Sequence, residues 1–218
     1  MASDTGRPEP PEDCRLCPRL AEFRDANRKE YPGFFNRPVP SFGDAQARLL
    51  IVGLAPGIKG ANRTGRPFTG DFAGELLYGS LAAFELSRGT FAADPGDGLQ
   101  LTDCMLTNAV RCVPPENKPT GIESKTCRPF LVARINSMPN LKVIFALGRI
   151  AHDNVLSALG AARSEHPFAH GAAHRLEGGL HLVDSYHCSR YNTNTGVLTT
   201  EMFEDVVGRA AAYVSRPS

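Results

Sequence analysis

ARLLIVGLAPG, residues 47–57, is a short apolar run that stops at Gly and Pro. A continuous string of Leu, Ile and Val offers no polar face, so it reads as a buried strand that breaks into a loop. Three further runs share this build: LTDCMLTNAV (101–110), LKVIFALG (141–148) and LHLVDSYH (180–187), each leading into a polar or Gly-containing loop. Helical spacing fills the intervals, in AGELLYGSLAAFELS (73–87), GIESKTCRPFLVARINSM (121–138) and IAHDNVLSALGAA (150–162). It returns in the terminal TEMFEDVVGRAAAYVS (200–215). Strands alternating with helices predict an α/β sandwich around a mostly parallel sheet. Ligands of such sheets bind beyond the carboxyl ends of the strands. That rule collects GLAPG (53–57), TNAVRC (107–112), ALGR (146–149) and YHCSRYN (186–192) along one edge of the molecule.

With 218 residues, 42% of them hydrophobic, the chain suffices for one core of ordinary size. The expected organisation is a single domain over 14–218 behind a disordered lead-in, 1–13, rich in Pro and acidic residues. No apolar run approaches the roughly 18 residues of a membrane span, and the start lacks the apolar segment of a secretion signal, so a cytosolic protein is expected. Lys and Arg number 24 against 23 Asp and Glu, a net charge of +1 that excludes a global pull toward nucleic acid or membrane. An anionic partner must be met by local clusters. Lys59, Arg63 and Arg66 share one Gly-rich loop; Arg111, Lys118, Lys125 and Arg128 share another region.

Six cysteines in a reducing compartment more often bind metal, react or fill a core than form disulfides. Cys14 and Cys17 make a C-x2-C, with Cys112 and Cys127 as distant partners. Four thiolates suit Zn or an iron–sulfur cluster, since both accept four sulfur ligands. Cys104 falls inside an apolar strand and reads as a core thiol. Cys188 adjoins His187, which suggests a thiol nucleophile with its base, but neighbours on a strand point to opposite sides.

The loop GLAPGIKGANRTGRPFTGD (53–71) contains neither G-x4-G-K-[ST] nor G-x-G-x-x-G, so the familiar nucleotide sites lack their residues. It offers freed backbone N–H groups, an Asn, and a Phe after Pro. These suit a pocket for a small flat ring read at its edge.

Taken with TNAVRCVPPENKPT (107–120) plus a later Cys, and HCSRYNTNTG (187–196), this loop resembles the motifs of the uracil-DNA glycosylase superfamily. The match is to its family 5 branch, broad in specificity and carrying iron–sulfur, and it spans about residues 14–210. The resemblance implies a three-layer α/β/α sandwich with a central four-stranded parallel sheet. It further implies a 4Fe-4S cluster on Cys14, Cys17, Cys112 and Cys127, structural in role, and a monomer acting on double-stranded DNA with damaged or mismatched bases.

Residue by residue, the resemblance makes Phe68 the aromatic that stacks on the flipped base. Asn108 becomes the carboxamide that reads its edge, and His187 the donor to uracil O2 as charge develops there. Where better-known branches hold an Asp, Asn or Glu to position water, this chain has Ala55. Asn62 is then the nearest polar candidate and Asp71 the next, although Asp71 also suits the N-cap of the following helix. Catalysis is expected to lean on leaving-base stabilisation more than on a strong general base. Gly57 stands where strict uracil enzymes carry a bulky aromatic, which implies room for hypoxanthine, xanthine or mismatched thymine. Lys59 reads as a phosphate-contacting or solvated Lys and not a Schiff-base former. Arg63, Arg66 and Arg190 are expected on phosphates, and Arg190, Tyr191 and Asn192 in the segment that presses into the minor groove. Cys188 replaces the family's usual Pro, which loosens the loop. Two other readings stay open: a nucleic-acid binding module without catalysis, and a thiol hydrolase.

Overall fold

The computed structural model describes residues 6–215. In chain order the elements are α1 (Pro18–Glu30), β1 (Phe42–Gly43), β2 (Leu49–Gly53), α2 (Ala61–Thr64), α3 (Phe72–Ala83), β3 (Ser87–Arg88) and β4 (Gln100–Leu101). There follow β5 (Cys104–Asn108), α4 (Gly121–Asn136), β6 (Val143–Leu147), α5 (Arg149–Leu159), β7 (Ala173–Arg175), β8 (His181–Ser185), α6 (Arg190–Asn194) and α7 (Thr200–Ser215).

The four apolar runs form the parallel heart of one sheet, in the order β5-β2-β6-β8. Every residue of β2, β5 and β6 is buried, as a sheet covered on both faces requires. The two-residue alternation then sorts side chains between two cores. Leu49, Ile51, Val143 and Phe145 meet Leu77 and Leu81 of α3 and Phe203 and Val206 of α7. Leu50, Val52, Ile144 and Ala146 meet Leu131 of α4 and Val155 and Leu156 of α5. The three-layer sandwich follows.

Two additions were not read from sequence. β1 pairs antiparallel with β5 and β7 antiparallel with β8, so the sheet has six strands, of which the expected four are the parallel centre. Strands of two and three residues are too short to show a period, and short edges also resist pairing with other chains.

The expected lead-in needs correction within its described part, residues 6–13; residues 1–5 lie outside the described residues. Glu9 accepts hydrogen bonds from Arg111 Nη1 at 2.9 Å and from the Ser41 backbone at 3.1 Å, and it pairs with Arg134. The physical reason is Arg111, only 1% exposed, a cation that needs an anion nearby. Burial acts to raise the Glu9 carboxyl, but the charge of Arg111 and hydrogen bonds from Arg134 and Ser41 outweigh it and hold the group below its ordinary value. Glu9→Gln is expected to cost about 2 kcal/mol, measured by urea unfolding at neutral pH. Because the folded value is depressed, this stabilisation is complete above the unfolded pKa of 4.5 and is lost as pH falls through the folded one. Equal stability of both proteins at pH 7 would show that the lead-in contributes nothing.

Candidate active site

The carboxyl ends of β2 and β5 open on a cavity of about 580 Å³ that Ala55, Gly57, Phe68, Asp71, Asn108 and His187 all line. β2 ends at Gly53, in register with Asn108 at the end of β5. A Cβ at position 53 would stand 2.4 Å from Phe68 Cζ and 2.5 Å from Asn108 Oδ1. Only glycine therefore lets the ring and the carboxamide close over the strand end. Phe68 holds φ +53, uncommon for a non-glycine residue, while Tyr78 Oη donates to the neighbouring Pro67 carbonyl at 2.8 Å. Asn108 is buried, and its carboxamide, which has no protein hydrogen-bond partner among the described residues, borders the cavity.

Asp71 does two things at once. Oδ1 accepts from the Gly74 backbone at 3.3 Å and caps α3, as expected from sequence. Oδ2 points the other way, 2.3 Å from an ideal Cβ at Gly60 and 3.5 Å from one at Gly57. Glycine at both positions leaves the carboxylate room. Asp71 faces the water of the cavity, yet the protein crowded around it desolvates the carboxyl and pushes it above its ordinary range; the Gly74 N–H and the charge of His187 pull the other way.

His187 lies just beyond β8. Asn192 Nδ2 donates to its carbonyl at 2.8 Å, and Gly148 approaches from the other side, where an ideal Cβ would stand 3.4 Å from His187 Cβ. Protein surrounds most of the ring although its edge reaches the cavity. Burial pushes its pKa down, against the opposing pull of the Asp71 carboxylate, so the imidazole is uncharged at neutral pH. The next residue answers the question raised by the missing Pro. Cys188 is fully buried and its thiol donates to the Ala73 carbonyl at 3.5 Å, tying the His187 loop to the first turn of α3. Burial, with Asp71 adding to it, pushes this thiol up to about 12. An inert, buried thiol ends the hydrolase reading.

Other expected residues fall elsewhere. Asn62 is fully buried behind the loop: Nδ2 donates to Asn36 Oδ1 at 2.9 Å and its backbone N–H to the Gly57 carbonyl at 3.0 Å. It shapes the loop and does not line the cavity. Arg66 is 4% exposed, paired through both terminal nitrogens with Asp97 at 2.8 and 2.7 Å, and therefore unavailable to phosphates. Asp97, from a loop 31 residues away, was the partner that local sequence could not supply. The Asn192 side chain turns inward to His187 and away from a groove. Lys59 and Arg190 line the cavity rim, Arg190 lying 5.5 Å from the Phe72 ring centroid. Arg63 and Tyr191 are exposed nearby in sequence.

One lining residue was missed. Asn117 borders the cavity, with Oδ1 3.8 Å from an ideal Cβ at Gly57, on the side of the same glycine that faces Asp71. Its φ of +57 follows that of Glu116 at +55. Asn favours such turns, so PPEN reads locally as turn chemistry and conceals the side chain's aim.

Cys14, Cys17, Cys112 and Cys127 surround a second void, with Leu20, Val110 and Phe130 packed around them. All are free thiols. Cys17 is the N-cap residue of α1 and Cys127 lies in α4. Arg19 and Glu123 hold the two helices together through a two-pronged contact at 2.7 and 2.8 Å, while Glu123 also completes the capping box of α4 with Thr120. Arg24, 1% exposed, directs Nη1 at Cys112 Sγ, 3.7 Å away, and leaves Nε unpartnered. Cys104, by contrast, is a core thiol bonded to the Leu86 carbonyl at 3.2 Å.

A parallel α/β sheet whose strand ends carry a ring-sized cavity, a stacking Phe, a reading Asn, a carboxylate and a neutral His defines a base-excision glycosylase site. The family model of the uracil DNA glycosylase superfamily matches residues 40–210, and the chain belongs to that superfamily. Within it, the chain is 48% identical over 202 residues to a type-5 uracil-DNA glycosylase of Thermus thermophilus, covering 90% of this chain and 92% of the relative. Type-5 relatives from Mycobacterium leprae (42% identical, 88% of each chain) and Pyrobaculum aerophilum (38%, covering 92% of this chain and 88% of the relative) are similar along nearly the same length.

Proposed function

We propose that this chain excises uracil, and further deaminated or mismatched bases, from double-stranded DNA by hydrolysing the N-glycosidic bond and leaving an abasic site. The observation that carries this reading is the opposed placement of Phe68 and Asn108 against Asp71 and His187 around one cavity. A base cannot be attacked within the stack, so the nucleotide is flipped into the cavity at an unstacking cost of a few kcal/mol. The base stacks on Phe68, and Asn108 offers donor and acceptor to its edge. Lys59, Arg63 and Arg190 supply positive charge for the backbone, and exposed Tyr191 stands beside Arg190 to fill the gap in the duplex.

Bond cleavage leaves positive charge on the sugar and the bonding pair on the base. Neutral His187 donates a hydrogen bond to the oxygen where that charge gathers. Water held between Asp71 Oδ2 and Asn117 Oδ1, over Gly57, adds to C1′ and gives its proton to Asp71. The departing base is protonated from solvent. This assigns Asp71 the water-positioning role for which Asn62 was first considered.

The four cysteines are assigned to a 4Fe-4S cluster. Among the described residues, the one group of three His, Cys or carboxylate side chains close enough to share a single ion lies elsewhere, at His152, His174 and Asp184. The four thiols stand further apart than one Zn would draw them, which favours a cluster. Four thiolates bring negative charge into a buried site, and the buried guanidinium of Arg24, with its orphaned Nε, fits as their counter-charge. When bound, such a cluster supplies a cross-link among the N-terminal segment, α4 and the loop after β5.

Gly57 presents no side chain to the cavity, so a 5-methyl group or a purine meets no steric bar there. Alkali-revealed strand cleavage on duplexes carrying uracil, thymine opposite guanine, hypoxanthine or xanthine tests the reading. Cleavage of uracil and at least one other base is expected, with Gly57→Tyr retaining uracil better than the rest. A wild-type protein that cuts none of them is a binding module; one that cuts uracil alone limits the proposal to uracil.

A further inference from the structure

Asp184, fully buried in β8, faces two histidines from neighbouring elements. His152 of α5 places Nδ1 2.8 Å from Asp184 Oδ1, and His174 of β7 places Nε2 3.3 Å from Oδ2. One potential ligand atom from each residue lies within 4.8 Å of the others. None of the three residues lines the base cavity, and the glycosylase chemistry does not use them.

The second nitrogen of His152 decides what this group can hold. Nε2 lies 2.9 Å from the carbonyl oxygen of His166. A carbonyl only accepts, so Nε2 carries the hydrogen, and Nδ1 of the neutral ring then aims a lone pair at a carboxylate oxygen. Two electron-rich atoms 2.8 Å apart in a buried site require a cation, either a proton or a metal ion. Anchoring the far N–H of an imidazole on a backbone carbonyl is the arrangement that fixes the tautomer and orientation of metal-bound histidines. His174 brings a second nitrogen, and its side chain remains 12% exposed, which gives an ion a path inward. Two imidazole nitrogens and one carboxylate oxygen match the ligand types that Zn²⁺ takes, with water completing the fourth position on the exposed side.

We propose that His152, His174 and Asp184 bind one zinc-type divalent ion, a staple that joins α5, β7 and β8 beneath the strand that delivers His187. Each ligand comes from a different element, so the ion would lock the frame of β8 three residues before the catalytic His.

The test uses the cluster-loaded protein, dialysed against chelator, with its visible absorbance followed so that zinc entering an emptied thiol site is recognised. Titration with Zn²⁺ is expected to load one ion per chain, counted by mass spectrometry, and to raise Tm at constant absorbance. His174→Gln changes the most exposed ligand and is expected to weaken zinc uptake by at least about tenfold. A second reading needs no variant: zinc should move the ring NMR signals of His152 and His174 and leave His181 in place. Absence of uptake by wild-type protein, equal uptake by His174→Gln, or unmoved ring signals would each show that a proton is the cation and overturn the site. Failure of the glycosylase assay would leave this result untouched, since metal uptake is read without DNA.

Discussion

His187→Ala is expected to lower kcat/KM for uracil excision by about 10²–10³-fold, the usual cost of removing one oriented donor from the place where negative charge gathers. The loss should fall on the chemical step, read by single-turnover cleavage with enzyme in excess, while duplex binding changes little. Structural collapse is an unsuitable explanation for such a loss. The loop is held by groups other than the ring: Asn192 grips the His187 carbonyl, and buried Cys188 ties the chain to Ala73. Since burial keeps the imidazole neutral at pH 7, the hydrogen-bonding form is already present, and protonation at lower pH is not required for donation. An alanine variant within a few-fold of wild type in single turnover would remove His187 from the mechanism.

Asp71→Asn is expected to cost about 10²-fold in kcat while leaving stability nearly unchanged, because two roles of one side chain part company in this variant. Asn is as good an N-cap as Asp, so α3 keeps its cap on Gly74. The proton-accepting oxygen toward Gly57 and Gly60 is lost, and general-base contributions are typically 10²–10⁴-fold. The pH profile gives an independent reading. Crowding by protein raises the Asp71 carboxyl, so the inactive, protonated form persists to higher pH than for an ordinary carboxylate. The acid limb of kcat against pH should therefore lie above the usual carboxylate range and vanish in Asp71→Asn. Asp71→Ala should add a stability loss of about 1 kcal/mol by removing the cap. Retention of both full activity and the acid limb in the Asn variant would reduce Asp71 to a helix cap.

Much of this architecture was legible locally. Runs such as LLIVG and VIFAL contain no polar position, which demands cover on both faces, and they became the central strands of a parallel sheet. The placement of Ala55, Gly57, Phe68, Asp71, Asn108 and His187 around one cavity followed from the strand-end rule together with motif order. α1 was not read, because PRLAEFRDANRKE carries few apolar residues and shows no clear stripe. It is held by burial of Leu20 and Ala21 and by the contacts of Arg19 and Arg24 with distant segments.

The candidate residues that moved share one cause. Arg66, Asn62 and Asn192 look like ligand-facing groups in their own loops, and each is engaged by a protein partner. Glu9 belongs to a stretch whose composition suggests disorder, yet Arg111, 102 residues on, gives it a buried cation to satisfy. Asn117 was concealed for the opposite reason, since a turn explains an Asn without any reference to a pocket.

Sequence by itself determined the alternation of elements, the sheet they build, the edge on which the site lies and the four cysteines that belong together. These depend on hydrophobic period and residue type, which are properties of neighbouring residues. Only tertiary structure decided which charged and polar side chains face the cavity and which are consumed by the fold. A buried polar atom must be paired, and its partner is set by whatever chain packs against it from afar. Cys188 shows both halves: sequence marked it as a departure, and packing against Ala73 made it a clamp.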